Sequence, residues 1–165
     1  MPSLLKGDGK AFERRFNVTV GEEAEMLREV VQQTLELGIR VPRPTEWGGF
    51  FIVDEERRAV VGMGGYKGGP NARGEVEIAY GTLPAFEGQG YGTEAAAELT
   101  RRALHDPTVQ TVVAHTFAEK NASARLLEKN RFQLVGEVDD PEDGRVWRWT
   151  YGRNPSLDFP AERVV

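Results

Sequence analysis

The chain has 165 residues, 39% of them hydrophobic and 28% charged, with 21 Lys and Arg against 26 Asp and Glu for a formal charge of −5. A chain of this length forms one domain that buries about 70% of its unfolded surface, so it needs no disulfide or metal staple. The absence of cysteine excludes thiolate metal sites, iron–sulfur clusters and thiol nucleophiles, and two histidines leave no multi-histidine metal centre.

An acidic balance without a Lys/Arg block argues against nucleic acid as a partner, because that binding depends on phosphate neutralisation. No apolar run reaches the ~20 residues that cross a bilayer. The opening MPSLLKGDGK lacks a signal-peptide core, so a cytoplasmic protein without a membrane partner is expected.

Residues 1–10 read as a flexible N-terminus, residues 11–153 as a single domain and residues 154–165 as a C-terminal tail. FERRFNV, from Phe12 to Val18, reads as a short first strand. The run GEEAEMLREVVQQTLELG has an acidic first turn, apolar Ala24, Leu27, Val31 and Leu35 at helical spacing, and a stop at Gly38. IRVPRPTEWGG is a loop, and FFIVD with AVVGMGGY reads as a hairpin around the charged EERR. EVEIAYGTL alternates glutamates with Val76, Ile78 and Tyr80, which predicts a strand with two different faces. A helix then starts in the glycine cluster after Pro84 and ends before Pro107. QTVVAHTF reads as a strand, NASARLLEKN as a helix, and FQLVGEV and VWRWTYG as a closing pair of strands around the turn DPEDG. This succession describes an α/β layer with a mixed sheet. Trp147, Trp149 and Tyr151 share one face of the last strand, a core signature before a groove.

The segment Glu87-Gly88-Gln89-Gly90-Tyr91-Gly92-Thr93 lies between a strand and a helix, where unpaired amides and the helix dipole favour an anion. A tight structural turn is the plainer reading. No lysine follows these glycines, so the loop is not a Walker A motif. Gly90 to Ala95 fits G-x-G-x-x-A, but Pro84 to Gln89 separate it from its strand, and QTVVAHTF carries no acidic residue for a ribose. The dinucleotide reading is set aside.

Two segments resemble the GNAT family of N-acetyltransferases. Ile78 to Ala95, IAYGTLPAFEGQGYGTEA, is similar to the family's acetyl-CoA motif, and Asn121 to Phe132, NASARLLEKNRF, to a helix of the branch that includes the ribosomal-protein N-terminal acetyltransferases. The resemblance implies a mixed, mostly antiparallel sheet of six to seven strands, splayed between its fourth and fifth strands, with about four helices. It implies acetyl-CoA as cosubstrate and no metal. The acceptor would be a small-molecule amine or a peptide N-terminus, and the protein a monomer or homodimer.

Carried over residue by residue, Gly88, Gln89, Gly90, Tyr91, Gly92 and Thr93 would bind the pyrophosphate through amides. Thr82 and Leu83 would pair with the pantetheine, with an amide near Leu83 as oxyanion donor, and Asn121 and Ser123 would face the thiol. Three positions depart from the family pattern: Glu87 stands in place of Gln or Arg, Leu127 in place of a tyrosine acid, and Arg131 in place of a glycine that often needs positive φ. Asn130 is the expected residue to take the left-handed conformation instead.

Direct transfer needs a neutral amine, an oxyanion donor and a proton for the leaving thiolate. Glu77 is the candidate base, its pKa expected to rise by burial on a central strand, unless Glu75 and Glu77 line a solvated face. Ser123 is the candidate acid or thiol ligand, with Asn121 as helix cap or pantetheine contact; Tyr80 and Tyr91 are alternative acids. Trp47, with Glu77, is the candidate acceptor-binding residue, in a groove built from Leu37 to Phe50 and the turn Asp139 to Gly144. A non-catalytic acyl-CoA-binding module is the alternative.

Overall fold

The computed structural model describes residues 9–21, 25–29, 32, 45–141 and 143–153. The first element, α1 (Gly9–Phe16), is a helix where a flexible end and a strand were expected. Phe12 and Phe16 stand one helical turn apart with ring centroids at 4.8 Å, and Phe12 also meets the Phe51 ring at 5.2 Å. The pair follows the i, i+4 spacing of a helix, not the two-residue period of a strand, and Phe12 is the member that enters the core. Asn17 then turns the chain at φ 54, and the Val20 amide donates to Glu13 Oε1 at 2.7 Å. The residues expected as a strand form none, and just beyond them Thr19 makes a single bridge to Ala59. Of the helix expected up to Gly38, residues 25–29 and 32 are helical. The remainder of that segment from residue 22, and the loop through residue 44, lie outside the described residues, as do residues 1–8 and the tail from residue 154.

Six strands follow: β1 (Gly49–Asp54), β2 (Ala59–Tyr66), β3 (Glu75–Thr82), β4 (Thr111–Phe117), β5 (Gln133–Asp140) and β6 (Gly144–Gly152). Helix α2 (Tyr91–His105) connects β3 to β4, and α3 (Ala122–Lys129) connects β4 to β5. The sheet order is β1-β2-β3-β4-β6-β5, antiparallel throughout except for the β3–β4 pair. This is the mixed, mostly antiparallel sheet expected.

The sheet carries a core on each face. Against one face lie Ala96, Leu99 and Ala103 of α2 and Ala124 and Leu127 of α3, packed with Tyr66, Val112 and Trp149. Trp149 is 2% exposed, and its Nε1 donates to Thr116 Oγ1 at 3.0 Å, which satisfies the one polar atom it buries. Against the other face, Phe12 and Leu27 cover Val60, Met63 and Leu83.

The parallel ladder between β3 and β4 holds only for Glu75 with Thr111, Val76 with Val112 and Glu77 with Val113. Beyond it β3 stays with β2, up to Thr82 opposite Gly62, and β4 stays with β6, up to Phe117 opposite Val146. The splay expected from the resemblance therefore lies between β3 and β4.

Helix α3 ends differently from expectation. Asn130 has φ −82, and Arg131 itself is left-handed at φ 62. The Phe132 amide reaches Leu127 O at 3.0 Å and the Arg131 amide reaches Glu128 O at 2.9 Å, the bond pair of a Schellman stop. Asn130 keeps ordinary dihedrals because its side-chain amide is already engaged, donating to Thr93 O and Leu126 O at 3.1 and 3.2 Å.

Two substitutions test this frame. Arg131 is exposed, so Arg131→Gly relieves the left-handed strain and is expected to stabilise the protein by about 0.5–1 kcal/mol in urea unfolding. A Cβ at Gly62 would stand 2.3 Å from Gly81 O, so Gly62→Ala should lower stability by about 1–3 kcal/mol in the same measurement.

Candidate active site

Lys67 N–H donates to Glu77 O at 3.0 Å and Leu83 N–H to Val61 O at 2.8 Å. Odd-numbered residues of β3 thus give their backbone groups to β2, and alternation turns those of Tyr80 and Thr82 toward β4. The ladder with β4 has ended by then, so Tyr80 and Thr82 present a strand edge to the gap. Thr82 lies where it was expected. Leu83 does not: its N–H is held by Val61 and its carbonyl accepts from Phe86 N–H at 2.8 Å. The N–H expected to serve a pantetheine or an oxyanion is thus already engaged.

At the mouth of the gap the glycine loop enters α2. Gly88 and Gly90 have φ 71 and 95, and Gly90 caps the helix without a side-chain bond. The amides of Gly88, Gln89, Gly90, Tyr91, Gly92 and Thr93 donate to no protein group among the described residues. Six N–H groups, three before and three within the first turn of this 15-residue helix, are thus left without a protein acceptor.

The turn between β1 and β2 fastens this loop. Arg57 Nη1 donates to Gln89 Oε1 at 2.9 Å, Gln89 Nε2 donates to Ala85 O at 3.3 Å, and the Tyr91 hydroxyl donates to the Asp54 carboxylate. The Arg57 amide and the Tyr91 hydroxyl hold Asp54 below the usual carboxylate range, and the bond to Asp54 raises the Tyr91 phenol, which stays protonated. Glu87 is exposed. The guanidinium of Arg57 brings to the loop a positive charge that the loop's own sequence lacks.

At the root of the gap, Glu77 Oε1 accepts from Lys67 Nζ at 2.7 Å and lies 2.9 Å from His115 Nδ1. Burial raises the Glu77 pKa, but hydrogen bonds from His115 and Lys67, together with their charges, outweigh it, and the carboxyl lies below its ordinary value. This is opposite to the shift expected from burial alone. Neighbouring Glu75 is likewise held down, its burial outweighed by Asn71, Arg148 and Arg73, with Arg148 Nη2 at 2.9 Å. Lys67 is raised, because Glu77, Asp140 and Asp143 outweigh its burial. Asp140 and Asp143, at the turn between β5 and β6, are therefore near enough to act on Lys67; Glu142 lies outside the described residues.

A cavity of about 380 Å³ opens beside the cluster, lined by Leu27, Met63, Lys67, Ala79, Tyr80 and Gly81, among others. Trp47 takes no part in it. It is 8% exposed in the core, edge-on to Tyr66 at 5.1 Å, and Tyr66 donates to Leu99 O of α2, so Trp47 sits on the sheet face opposite Glu77. The sequence reading joined the two by analogy with the family it resembles; the indole instead buries its ring on the far side of the sheet.

Asn121 caps α3, its side-chain oxygen accepting from the Ala124 amide at 2.9 Å. Ser123 is half-buried in the first turn of that helix. Burial pushes the Tyr80 phenol up, so it remains protonated. The sequence offered no signal for Lys67, Arg57 or Asp54; His115, a lone histidine on an apolar strand, could be read as reaching the cleft, although a structural role was the plainer reading.

The family model described as an acetyltransferase (GNAT) domain matches residues 10–133. A stretch of 85 residues is 33% identical to YjdG of Bacillus subtilis (strain 168), named an uncharacterized N-acetyltransferase; it takes in 52% of this chain and 51% of that one. The chain thus spans about half the length of that curated relative. Among solved structures, the ribosomal L7/L12 alpha-N-protein acetyltransferase RimL in complex with coenzyme A superposes with a TM-score of 0.61 at 18% identity, over 78% of this chain and 72% of that one. The ribosomal-protein-S5-alanine acetyltransferase from Vibrio fischeri gives 0.61 at 14% identity, over 80% and 73%. The aminoglycoside acetyltransferase AAC(6')-Ib with coenzyme A gives 0.56 at 20%, over 66% and 68%. These likenesses describe the fold, and the model match over most of the chain makes this protein a member of the GNAT acetyltransferase family.

Proposed function

We propose that this protein transfers an acetyl group from acetyl-CoA to a primary amine, on a peptide N-terminus or a small molecule, by direct attack with both substrates bound. The observation that carries the reading is the juxtaposition of a free strand edge at Tyr80 and Thr82 with six free amides from Gly88 to Thr93. The amides suit a pyrophosphate, and the strand edge suits the amide-bearing arm that follows it. The thioester supplies an activated acetyl group. Thr82 and Tyr80 pair with the arm, while Asn121 holds the start of α3 and Ser123 offers its hydroxyl to the sulfur. Acidic Asp140 and Asp143, above the cluster at the root of the gap, favour a cationic acceptor.

RimL, the aminoglycoside acetyltransferase and the spermidine N-acetyltransferase SpeG, represented by a chimera, bear names that span protein N-termini, aminoglycosides and a polyamine. The acceptor here belongs to that chemical range. A cytoplasmic location and a monomer or homodimer accord with this reading.

The test is thiol release from acetyl-CoA with a free-N-terminus peptide, spermidine and kanamycin as acceptors, beside thermal-shift titration with acetyl-CoA. Turnover of at least one acceptor is expected. Thermal stabilisation without turnover would favour the non-catalytic binding module, and no stabilisation would refute both. Gly90→Ala, strained at φ 95, should weaken acetyl-CoA binding about tenfold, the worth of one charge-assisted hydrogen bond. The space above Gly81 is open, so Gly81→Val should raise the acceptor KM while leaving acetyl-CoA affinity unchanged.

A further inference from the structure

We propose that His115 is the group that takes the proton from the acceptor amine, at Nε2, and that Glu77 acts through it as a positioning residue. This rests on the acetyl-transfer reading above and assigns the proton to a residue that lies outside both segments that carry the family resemblance.

His115 stands on β4 two positions beyond Val113, the last residue paired with β3. It therefore belongs to the first stretch of β4 that borders the gap. Val112, Ala114 and Thr116 are buried on the side of α2 and α3, and alternation puts His115 on the opposite side. There its Nδ1 lies 2.9 Å from Glu77 Oε1. An ionised carboxylate only accepts, so the ring must donate from Nδ1, and in the neutral ring the lone pair then lies on Nε2. Nε2 has no hydrogen-bond partner among the described residues.

Glu77 is poorly suited to take the proton itself. The same oxygen, Oε1, already receives Lys67 Nζ and His115 Nδ1. A carboxylate stabilised in its charged form is a weak proton acceptor. The other charged groups around the ring are Arg148, opposite His115 in the β4–β6 register, and Glu75, which Arg148 binds. Asp140 and Asp143 act on Lys67 from the turn between β5 and β6. Each of these residues already engages another charged group of the cluster, which leaves the imidazole as the open proton acceptor. Lys67 both lines the cavity and binds Glu77, so the cluster adjoins the cavity through Lys67.

The step balances as follows. Nε2 removes one proton from the acceptor ammonium, which frees the nitrogen lone pair. The nitrogen attacks the thioester carbonyl carbon, a C–N bond forms, and the C–S bond breaks with its electron pair leaving on sulfur. The second proton lost by nitrogen goes to that thiolate, and His115 returns its own proton to water.

The experiment compares wild type, His115→Ala and Glu77→Gln in thiol release with the acceptor that turns over best. His115→Ala should lower kcat about a hundredfold, the usual scale of general-base catalysis, with the KM for acetyl-CoA unchanged. Added imidazole should restore part of the rate, since the side chain is 16% exposed and its removal opens a path to Nε2. Glu77→Gln should lower kcat less and show no imidazole rescue. A larger loss in Glu77→Gln than in His115→Ala, with no imidazole rescue of the latter, overturns the assignment and makes Glu77 the base.

A second readout needs no acceptor. ¹⁵N chemical shifts of His115 in the full chain should report a proton on Nδ1 and none on Nε2, with mixed tautomers in Glu77→Gln. A proton on Nε2 of the neutral wild-type ring refutes the proposal even where no acceptor turns over. Failure of acetyl-CoA to bind wild type, by contrast, refutes the acetyl-transfer reading itself.

Discussion

Between β3 and β4 the parallel ladder lasts for three residue pairs and stops, and the arrangement of the site depends on that stop. A parallel pair that continued would occupy the backbone groups of Tyr80 and Thr82 and close the cleft. The two strands separate because each has a longer commitment on its other side, β3 to β2 and β4 to β6. The gap costs two unpaired strand edges, a cost that a substrate carrying amides along an extended arm can offset.

Around that gap the charges are arranged in two separate tiers. At the mouth, backbone amides and the dipole of α2 face outward, and the Asp54–Arg57 turn holds the loop through Tyr91 and Gln89. At the root, Lys67, Glu77 and His115 form one bonded group, and Arg148, Glu75 and Arg73 another. Each carboxylate there is matched by cations, so the root is polar without carrying a large net charge. A partly buried cluster of this kind is tolerated because its members satisfy one another.

Much of this was legible in the chain. The glycine loop, the strand before it and the helix after it are local patterns, and Gly88 to Thr93 appear where the spacing placed them. The alternating Trp147, Trp149 and Tyr151 likewise read as core and pack as core. The misreadings share a cause. FERRFNV was judged by its mixed polarity, and only the contact with Phe51 reveals that Phe12 and Phe16 form a helical pair. Trp47 was judged by analogy with the family, and only its packing on Tyr66, which binds α2, shows it to be buried. Leu83 was judged by the family pattern, and the Val61 carbonyl had already taken its amide.

What the sequence determined by itself was the set of elements whose signal lies within one or two turns of chain: the mixed α/β order, the glycine loop that opens α2 and the cap at Asn121. Such features arise from dihedral preferences and from hydrogen bonds between near neighbours, which spacing encodes. Tertiary structure alone decided the charge state and company of Glu77, whose bond to His115 joins residues 38 apart, and the clamp of Arg57 on Gln89, 32 apart. Burial and hydrogen bonding move a carboxylate's pKa in opposite directions, so its net shift depends on which partners the fold delivers. Those partners come from strands brought together only by the sheet order, and no local pattern in the chain records that order.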